Sequence, residues 1–239
     1  MQYLGGKSRL ARKIVDVLRE KAPETIGVIE PFCGGCAVTE HLCAWRPTLA
    51  ADAFPGLVGM LCAVRQGLRL PVEGVTDEQY AAFKAAAESG DRSPSTVAVG
   101  FGLSFGGKWF GGNARCVQGD PKREYARYWN SWADRFSRLQ NLTLIEADYR
   151  NWTDLARPGV VFYCDPPYWQ TEGYETGIFD HFKFDQICWL WRSRGARVFV
   201  SEYDTQWTEV WSHRRNRSIS NQPGVPSVYV TDRLFEVLP

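Results

Sequence analysis

The residues best suited to chemistry form an Asp-Pro-Pro-Tyr run at 165–168, which follows the apolar and aromatic residues 160–164. A short apolar run of this kind predicts a buried parallel strand, and open α/β sheets bind ligands outside the carboxyl ends of their strands. Two consecutive prolines fix φ at two positions, so the loop holds its carbonyls in set directions. The Asp165 carboxylate and the Pro166 carbonyl can accept hydrogen bonds from an amino group, while Tyr168 offers a flat surface for a base.

This arrangement suits an exocyclic amine on an aromatic ring. Such an amine is a weak nucleophile because its lone pair is delocalised into the ring. Two acceptors on its hydrogens favour a pyramidal nitrogen and direct the lone pair towards an electrophile. The alternative is that Asp165 caps a turn and that the prolines only end a strand.

The amino-terminal residues supply a second set of candidates. Apolar residues from Leu10 to Leu18 recur at helical spacing, and Ser8 is expected to cap the amino terminus of this helix. Lys7 then lies where a cation and free backbone N–H groups bind a small carboxylate, such as that of an amino acid. This loop therefore predicts a site for the polar end of a ligand.

Two strands are expected to bring further groups to the same edge of the sheet. Residues 25–30 read as the first core strand, and Gly34 in the loop after it allows a ligand to approach the backbone closely. The second strand, at 48–51, ends at Asp52, where nucleotide-binding folds place the acid that holds ribose hydroxyls. Asp52 is therefore the ribose candidate.

The motifs do not support several other chemistries. Residues 33–40 lack the Gly-x-Gly-x-x-Gly fingerprint of nicotinamide-binding folds, and the run at 5–8 lacks the first glycine of a Walker A loop. No Gly-x-Ser-x-Gly elbow indicates a serine hydrolase. The cysteines and the histidine within 33–43 are poorly spaced for zinc, so no metal is expected.

Three motifs occur in a fixed order: Tyr-Leu-Gly-Gly-Lys at 3–7, Glu-Pro-Phe-x-Gly-Gly at 30–35 and Asp-Pro-Pro-Tyr at 165–168. Together they resemble the motifs of the Dam-type (class alpha) DNA adenine N6-methyltransferases. The resemblance covers both flanks of the chain and leaves out the middle. It implies S-adenosylmethionine as the methyl donor and an adenine flipped out of duplex DNA as the target.

The same resemblance assigns roles to individual residues. Catalysis is expected from Asp165, Pro166 and Tyr168. Asp148 matches the acid that such enzymes place near the cofactor adenine, with an exposed acid after a strand as the alternative. Together with the residues proposed above, the cofactor-binding candidates are Tyr3, Lys7, Phe32, Gly34, Asp52, Asp148 and Asp165.

Cys36 departs from the family pattern, because relatives often carry a further glycine there. Its side chain is expected to crowd the cofactor. We therefore expect a shifted loop or weaker cofactor binding without loss of activity, since Gly34 and Gly35 are both present.

Length and composition fit a globular enzyme. The chain has 239 residues, of which 44% are hydrophobic and 23% charged, enough for one large domain or for a core with an insertion. No apolar run approaches the roughly 20 residues that span a membrane, and no signal peptide is seen. Seven cysteines, an odd number, indicate free thiols in a reducing compartment. We expect a monomeric, cytoplasmic enzyme encoded by a bacterium or a phage.

The net charge of +1 is small for a protein that binds nucleic acid, but charge can be local. Residues 97–119 interleave cations, aromatic residues and glycines, which suits phosphate contacts and the reading of base edges. Phe101 and Phe105 are expected in the core instead. A second basic cluster lies at 214–217, with a solvated surface as the alternative. The DNA-binding candidates are Lys108, Trp109, Asn113, Arg115, Lys122, Arg123 and Arg217.

The motif order predicts an α/β fold: a Rossmann-like methyltransferase sheet with an inserted, mainly helical DNA-recognition region. Residues 1–54 and 142–239 are assigned to the catalytic domain and 55–141 to the target-recognition region. Helices are expected at 55–67, at 77–89 behind a capping box of Thr76 and Gln79, and from Pro121 onward; strands are expected near 143, 160 and 197, and a closing hairpin at 227–237. The loop 170–182 is interpreted as either a lid or an ordered wall.

Three alternatives stay open. A cytosine N4-methyltransferase uses the same geometry. The chain has Asp165 rather than a serine at this position, which favours adenine only weakly. The others are an RNA methyltransferase and a DNA-binding relative that has lost its activity. The recognition sequence is not read from the chain, because the middle region matches the family least.

Overall fold

The computed structural model of the protein describes residues 1, 6–114, 121–168, 179–217 and 228–238. Its strands are β1 (Gly27–Glu30), β2 (Thr48–Asp52), β3 (Leu142–Glu146), β4 (Val160–Cys164), β5 (Arg197–Glu202), β6 (Thr208–Arg217) and β7 (Val228–Glu236). They form one sheet in the order β3-β2-β1-β4-β5-β7-β6. The pairs among β1 to β5 are parallel, while β7 runs antiparallel to both of its neighbours. This mixed sheet confirms the predicted Rossmann-like α/β fold.

The helices of the described ranges connect these strands. They are α1 (Ala11–Lys21), α2 (Thr39–Cys43), α3 (Leu57–Arg65), α4 (Asp77–Glu88), α5 (Pro94–Gly102), α6 (Pro121–Phe136) and α7 (His181–Ser193), with short 3₁₀ segments at Phe105–Gly107 and Tyr149–Leu155. Four of the helices, α3 to α6, follow β2 and precede β3. The insertion expected in the middle of the chain is thus helical, and the sheet continues on either side of it in sequence.

The strand order reverses between β1 and β4. β1 pairs with β2 on one side and with β4 on the other, and the chain reaches β4 only after β2 and β3. At such a switch point the loops that follow the two strands diverge and leave a crevice between them. Residues 31–36 after β1 and 165–168 after β4 therefore border the same cleft.

Apolar layers cover both faces of the sheet. On one face α1 packs through Ile14 and Leu18 onto a cluster that includes Tyr163 of β4. On the other face Trp191 of α7 stacks on Phe162 of β4, with ring centroids 4.1 Å apart. Burial of a side chain as large as Phe162 stabilises the fold by about 1.5–3 kcal/mol. Because β4 is buried on both faces, the loop that follows it starts from a rigid base.

The helices α3 to α6 share one apolar cluster, which extends to β2 and to the loop after β1. Trp129, Trp132 and Phe136, which recur at helical spacing along α6, are buried in it. α5 packs closely at Gly100, where an added Cβ would lie 2.5 Å from the Trp109 ring. The sequence analysis missed α5, because glycines within it lower its intrinsic helix propensity and packing supplies the stability instead.

Most of the predicted elements are confirmed. The strands near 143, 160 and 197 are β3, β4 and β5. The capping box is formed, since the Thr76 hydroxyl accepts from the Gln79 backbone N–H at 3.1 Å and the Gln79 side chain accepts from the Thr76 N–H at 2.9 Å. Phe101 is buried as expected.

Three expectations are wrong. Ser8 does not cap α1: the helix begins at Ala11, and the Lys7 carbonyl accepts the backbone N–H groups of Leu10 and Ala11 in the turn before it. The closing hairpin is longer than predicted and begins at Thr208, because β6 pairs with β7 along its whole length. Phe105 is 66% exposed rather than buried, since it lies at the outer end of a glycine-rich turn.

Candidate active site

Asp165 directly follows β4 and forms an ion pair with Lys7. The Lys7 Nζ lies 3.0 Å from the Asp165 Oδ1, and the exposed fractions of the two side chains are 8% and 19%. The same ammonium lies 4.5 Å from the centroid of the Tyr168 ring, within the range of a cation–π interaction. The first and third predicted motifs are therefore in direct contact, although they are more than 150 positions apart in the chain.

The surroundings of Asp165 act on its carboxyl group in opposite directions. Burial raises the pKa of Asp165 above its ordinary value, and the Lys7 ammonium and the Tyr168 hydroxyl offset part of that effect. Tyr203 packs edge to face with Tyr168, with centroids 4.7 Å apart, and helps to hold the ring. A partly desolvated carboxylate beside a fixed aromatic ring is suited to accept a hydrogen bond from an incoming amine.

Below Asp165 and Tyr168 lies a buried contact between two hydroxyl groups. The hydroxyl groups of Tyr163 in β4 and Ser201 in β5 are 3.0 Å apart. Burial raises the pKa of Tyr163 well above its ordinary value, so this phenol stays neutral. The contact joins two neighbouring strands just below the Asp-Pro-Pro-Tyr loop and fixes their carboxyl ends relative to each other.

Asp52 connects the loop after β1 to the end of β2. One of its carboxylate oxygens accepts the backbone N–H of Gly34 at 2.9 Å, and the other accepts the N–H of Phe54 at 2.9 Å. Burial raises the pKa of Asp52 to about 6, although these backbone hydrogen bonds act in the opposite direction. A carboxylate oxygen has two lone pairs, so each oxygen retains capacity for a further donor such as a ribose hydroxyl.

The loop that follows β1, residues 31–36, is called the glycine loop here and has a fixed and unusual backbone. Gly34 has φ +46°, and Cys36 has φ +57°, a left-handed conformation that favours glycine. The Cys36 side chain is fully buried and belongs to the same apolar cluster as Cys33 and Phe54. The glycine that relatives often carry at this position thus has a backbone reason, and Cys36 keeps the conformation in spite of its Cβ.

Glu30 is a buried acid to which the sequence analysis gave no role. It ends β1 with 2% exposure, and the Thr39 hydroxyl donates to its Oε2 at 2.5 Å. Burial raises the pKa of Glu30 well above its ordinary value, and the neighbouring Asp165 and Asp52 add to that effect. A charged residue at the end of an apolar strand was a usable signal. Its contact with Thr39 ties β1 to the start of α2, beneath the glycine loop.

Asp148 is held by a neighbour rather than left exposed. Arg150 donates to both of its carboxylate oxygens, at 2.7 and 2.9 Å, and the Arg150 backbone N–H adds a third hydrogen bond at 2.9 Å. Although burial acts to raise it, these contacts hold the pKa of Asp148 below its ordinary value. Next to it in the chain, Tyr149 packs on Phe32 with centroids 5.5 Å apart. Tyr149 thereby links Asp148, which is predicted to lie near the cofactor adenine, to Phe32, another predicted cofactor-binding residue.

The DNA-binding candidates of the insertion have diverse surroundings. Trp109 packs on Phe54, Phe101 and Phe110 at 4.8–4.9 Å, which accounts for this residue without any DNA contact. Asn113 donates to the Asp77 carboxylate at 2.6 Å. Arg123 is paired with Glu73, 2.5 Å away. Lys108 is exposed on the glycine-rich turn. Tyr3, Arg115, the loop 170–178 and the side chains of Lys122 and Arg217 lie outside the described residues.

The hairpin of β6 and β7 adds an ion pair that the sequence analysis did not foresee. Arg215 donates to both carboxylate oxygens of Asp232, which is 3% exposed. The Asp232 charge also acts to raise the pKa of Asp165, so the pair lies near the Asp-Pro-Pro-Tyr loop. The sequence indicated a basic cluster at 214–217. Because successive side chains along a strand lie on opposite faces, Arg214 and Arg215 do not lie on the same face. The exposed Arg214 lies instead over the Tyr229 ring, at 4.3 Å.

Other classes of site find no support in the described part of the chain. Among these residues there is no group of three or more His, Cys, Asp and Glu side chains that could hold a metal ion. Cysteines 33, 36, 43, 62, 164 and 188 are free thiols. No helix within the described ranges is both long and apolar enough to span a bilayer.

A family model described as D12 class N6 adenine-specific DNA methyltransferase matches residues 3–91. The match confirms the resemblance drawn from the motifs, and it includes Lys7, the glycine loop and Asp52. It also indicates S-adenosylmethionine as the cofactor. A search of curated proteins found no match to the chain.

Solved structures of low sequence identity align with most of the chain. The rRNA methyltransferase AviRa from Streptomyces viridochromogenes is 13% identical, with 96% of this chain and 84% of that one covered and a TM-score of 0.42. A precorrin-6y C5,15-methyltransferase from Geobacter metallireducens is 8% identical, with coverages of 94% and 86% and a TM-score of 0.42. A SAM-dependent methyltransferase from Agrobacterium tumefaciens is 10% identical, with coverages of 96% and 59% and a TM-score of 0.42.

Proposed function

We propose that this protein transfers a methyl group from S-adenosylmethionine to N6 of an adenine flipped out of duplex DNA. The observation that carries the proposal is the contact between Lys7 and Asp165. It joins the Asp-Pro-Pro-Tyr loop to the segment that matches the adenine-specific family, in one cleft at the switch point of the sheet. The loop supplies acceptors for an amine, and the matched segment supplies the polar groups for a cofactor.

The residues around the cleft fit S-adenosylmethionine. Asp52 has acceptor capacity for ribose hydroxyls, and its hydrogen bond from Gly34 fixes the glycine loop beside it. Lys7 lies close to the start of α1 and would hold the carboxylate of the cofactor. Phe32, which packs on Tyr149 beside Asp148 in the chain, offers apolar surface on the side proposed for the adenine. When bound, the cofactor supplies an electrophilic methyl group on a sulfonium.

The catalytic loop would orient the target amine. The Asp165 carboxylate and the Pro166 carbonyl each accept one N–H of the adenine N6, and Tyr168 stacks on the ring. The two acceptors turn the nitrogen lone pair towards the methyl donor. The alkylated nitrogen must then lose a proton. Asp165 is 19% exposed, so it can receive that proton and release it to water.

The inserted helices would read the DNA. We assign residues 1–54 and 142–239 to the catalytic domain and 55–141 to the target-recognition region. The glycine-rich turn at 104–113 is closed by an antiparallel bridge between Ser104 and Asn113, and it presents an exposed phenyl ring, Phe105, together with Lys108. A cation can contact a phosphate, and an exposed aromatic ring can fill the gap left by a displaced base.

A labelling experiment tests the function. The purified protein is incubated with S-adenosylmethionine labelled in its methyl group and with unmethylated genomic DNA, and the nucleosides are then separated. Label in N6-methyldeoxyadenosine is the expected result. Label in N4-methyldeoxycytidine would keep the mechanism and overturn the base assignment. Equal or greater incorporation into RNA offered in competition would contradict the DNA substrate.

A further inference from the structure

The Lys7 ammonium occupies the position that the proposed function gives to the target amine. It donates to the Asp165 carboxylate at 3.0 Å and lies 4.5 Å from the Tyr168 ring centroid. An exocyclic amine of a flipped base requires the same two partners: an acceptor for its N–H groups, and the face of the aromatic ring beneath its own ring. Both groups are N–H donors that carry full or partial positive charge, so the lysine mimics the substrate.

The ammonium and the base compete for this position. Stacked rings have their atoms about 3.5–4.0 Å apart, so a base on Tyr168 fills the layer in which the Lys7 Nζ now lies. The base also needs the Asp165 carboxylate, whose Oδ1 now pairs with Lys7. Lys7 must therefore leave before the amine can be held.

The movement open to Lys7 is that of its side chain. Its backbone is fixed, because its carbonyl accepts the N–H groups of Leu10 and Ala11 at 2.8 Å in the turn that leads into α1. Its side chain is 8% exposed, and a buried ammonium that loses its carboxylate needs another anion. A carboxylate arriving beside the amino terminus of α1 provides that anion, and the flexible lysine stem can carry the charge across.

We infer that Lys7 closes the base site in the free protein and that the cofactor's amino-acid carboxylate opens it by drawing the ammonium away from Asp165. This inference rests on the proposed function, because it takes the cofactor and the flipped base from there. It assigns Lys7 a role beyond cofactor binding: it makes entry of the target base depend on prior binding of the cofactor. Asp165 thereby stays paired until a methyl donor is present.

Calorimetric titration with two adenosyl ligands tests the exchange. S-adenosylhomocysteine carries the carboxylate but no sulfonium charge, and 5′-methylthioadenosine lacks the carboxylate. The substitution Asp165→Asn weakens the interaction that keeps Lys7 in the base site. S-adenosylhomocysteine should therefore bind the variant more tightly than the wild type, by a factor of about five or more. The affinity for 5′-methylthioadenosine should change by less than about twofold, because that ligand has no anion to offer Lys7.

Two further variants complete the design. In Lys7→Met the preference for the carboxylate ligand should disappear, and adding Asp165→Asn to it should have no further effect. Tyr168→Leu removes the aromatic ring that contacts the Lys7 ammonium. Like Asp165→Asn, it should therefore tighten S-adenosylhomocysteine binding. It provides the test should the Asp165 variant not fold, which thermal unfolding will show.

The outcomes separate this inference from the function on which it rests. Equal or weaker binding of S-adenosylhomocysteine to Asp165→Asn overturns the inference, because Asp165 would then be neutral or helpful to the cofactor. If the wild type binds neither ligand, the cofactor assignment fails and the inference fails with it. If the binding pattern is as expected but no methyl group reaches DNA, the inference holds and only the DNA assignment is contradicted.

Discussion

The backbone N–H of Gly34 donates to the Asp52 carboxylate at 2.9 Å, a bond between the loops that follow two neighbouring strands. It fixes the glycine loop at the point where the ribose of a nucleotide-like cofactor is expected. Because the same carboxylate also accepts the Phe54 N–H, Asp52 joins the segments that follow β1 and β2. A change at this one residue should therefore alter cofactor affinity more than it alters the distant base site.

Asp52 should make cofactor binding depend on pH. Its pKa is raised to about 6, so the carboxylate is protonated below that value and ionised above it. The ionised form is the better acceptor for ribose hydroxyls, and S-adenosylhomocysteine affinity should rise as pH increases from 5 to 7. Asp52→Asn should bind about tenfold more weakly at pH 7, as expected when a charged hydrogen-bond partner is lost. Calorimetry across this pH range measures both effects. A wild-type affinity that stays flat between pH 5 and 7 would contradict the assignment.

Asp165→Asn should lower turnover by at least about 100-fold, because the variant has a weaker acceptor for N6 and cannot take up its proton. The fold should persist, since the substitution is isosteric and the side chain is partly exposed. Methyl transfer to DNA measures the change. Asp154→Asn serves as the control, because that carboxylate is 97% exposed, and it should retain wild-type turnover. Near wild-type turnover in Asp165→Asn would remove Asp165 from the mechanism.

Cys36→Gly should tighten cofactor binding. The substitution relieves a left-handed backbone that costs a residue with a Cβ roughly 1–2 kcal/mol, and it removes the side chain expected to crowd the cofactor. Cys36→Ala is the matched comparison, because it keeps the Cβ and the backbone strain but loses the sulfur, and it should tighten binding by less than Cys36→Gly does. Titration with S-adenosylhomocysteine measures both variants. Equal or weaker binding by Cys36→Gly counts against the crowding hypothesis.

Phe105→Ala should reduce methylation of duplex DNA roughly tenfold, the effect expected when one aromatic contact with a base is lost. The free energy of unfolding should change little, because the ring is 66% exposed. Turnover on duplex DNA and thermal unfolding are measured together. Ile26→Ala is the control, since Ile26 is 60% exposed and lies just before β1, at the end of that strand away from the glycine loop. If both variants methylate DNA at the wild-type rate, the turn at 104–113 does not contact the displaced base.

The sequence predicted that Asp165 and Asp52 lie at the carboxyl ends of strands, because the local signals at both residues agree. Asp165 and Asp52 each follow a short apolar run, and the carboxyl ends of parallel strands gather at one edge whatever the connections between them. The register of a long hairpin has no such local signal. The pairing of Arg215 with Asp232 depends on which residues of β6 and β7 lie opposite each other, and so it emerged only from the folded sheet.

The glycine-rich turn shows a second reason for failure. Phe105 and Trp109 are aromatic residues of one glycine-rich segment, and no periodicity distinguishes them, because this segment is neither an α-helix nor a strand. Trp109 packs inward on Phe54, whereas Phe105 points away from the core. The backbone conformation of the turn determines which of the two rings points inward. Gly106 and Gly107 are both left-handed, and closure of the turn sets this conformation rather than residue type.

The position of β7 between β5 and β6 governs how the protein can assemble during translation. β5 pairs directly with β7, and among the described residues β6 joins the sheet through β7 alone, although β6 is made first. While the ribosome is still making β7, the outer edge of β5 lacks its partner and can template pairing with other chains. The nascent protein is therefore most prone to aggregation just before β7 emerges. At that stage the ribosome has already made all the residues assigned to the cofactor cleft.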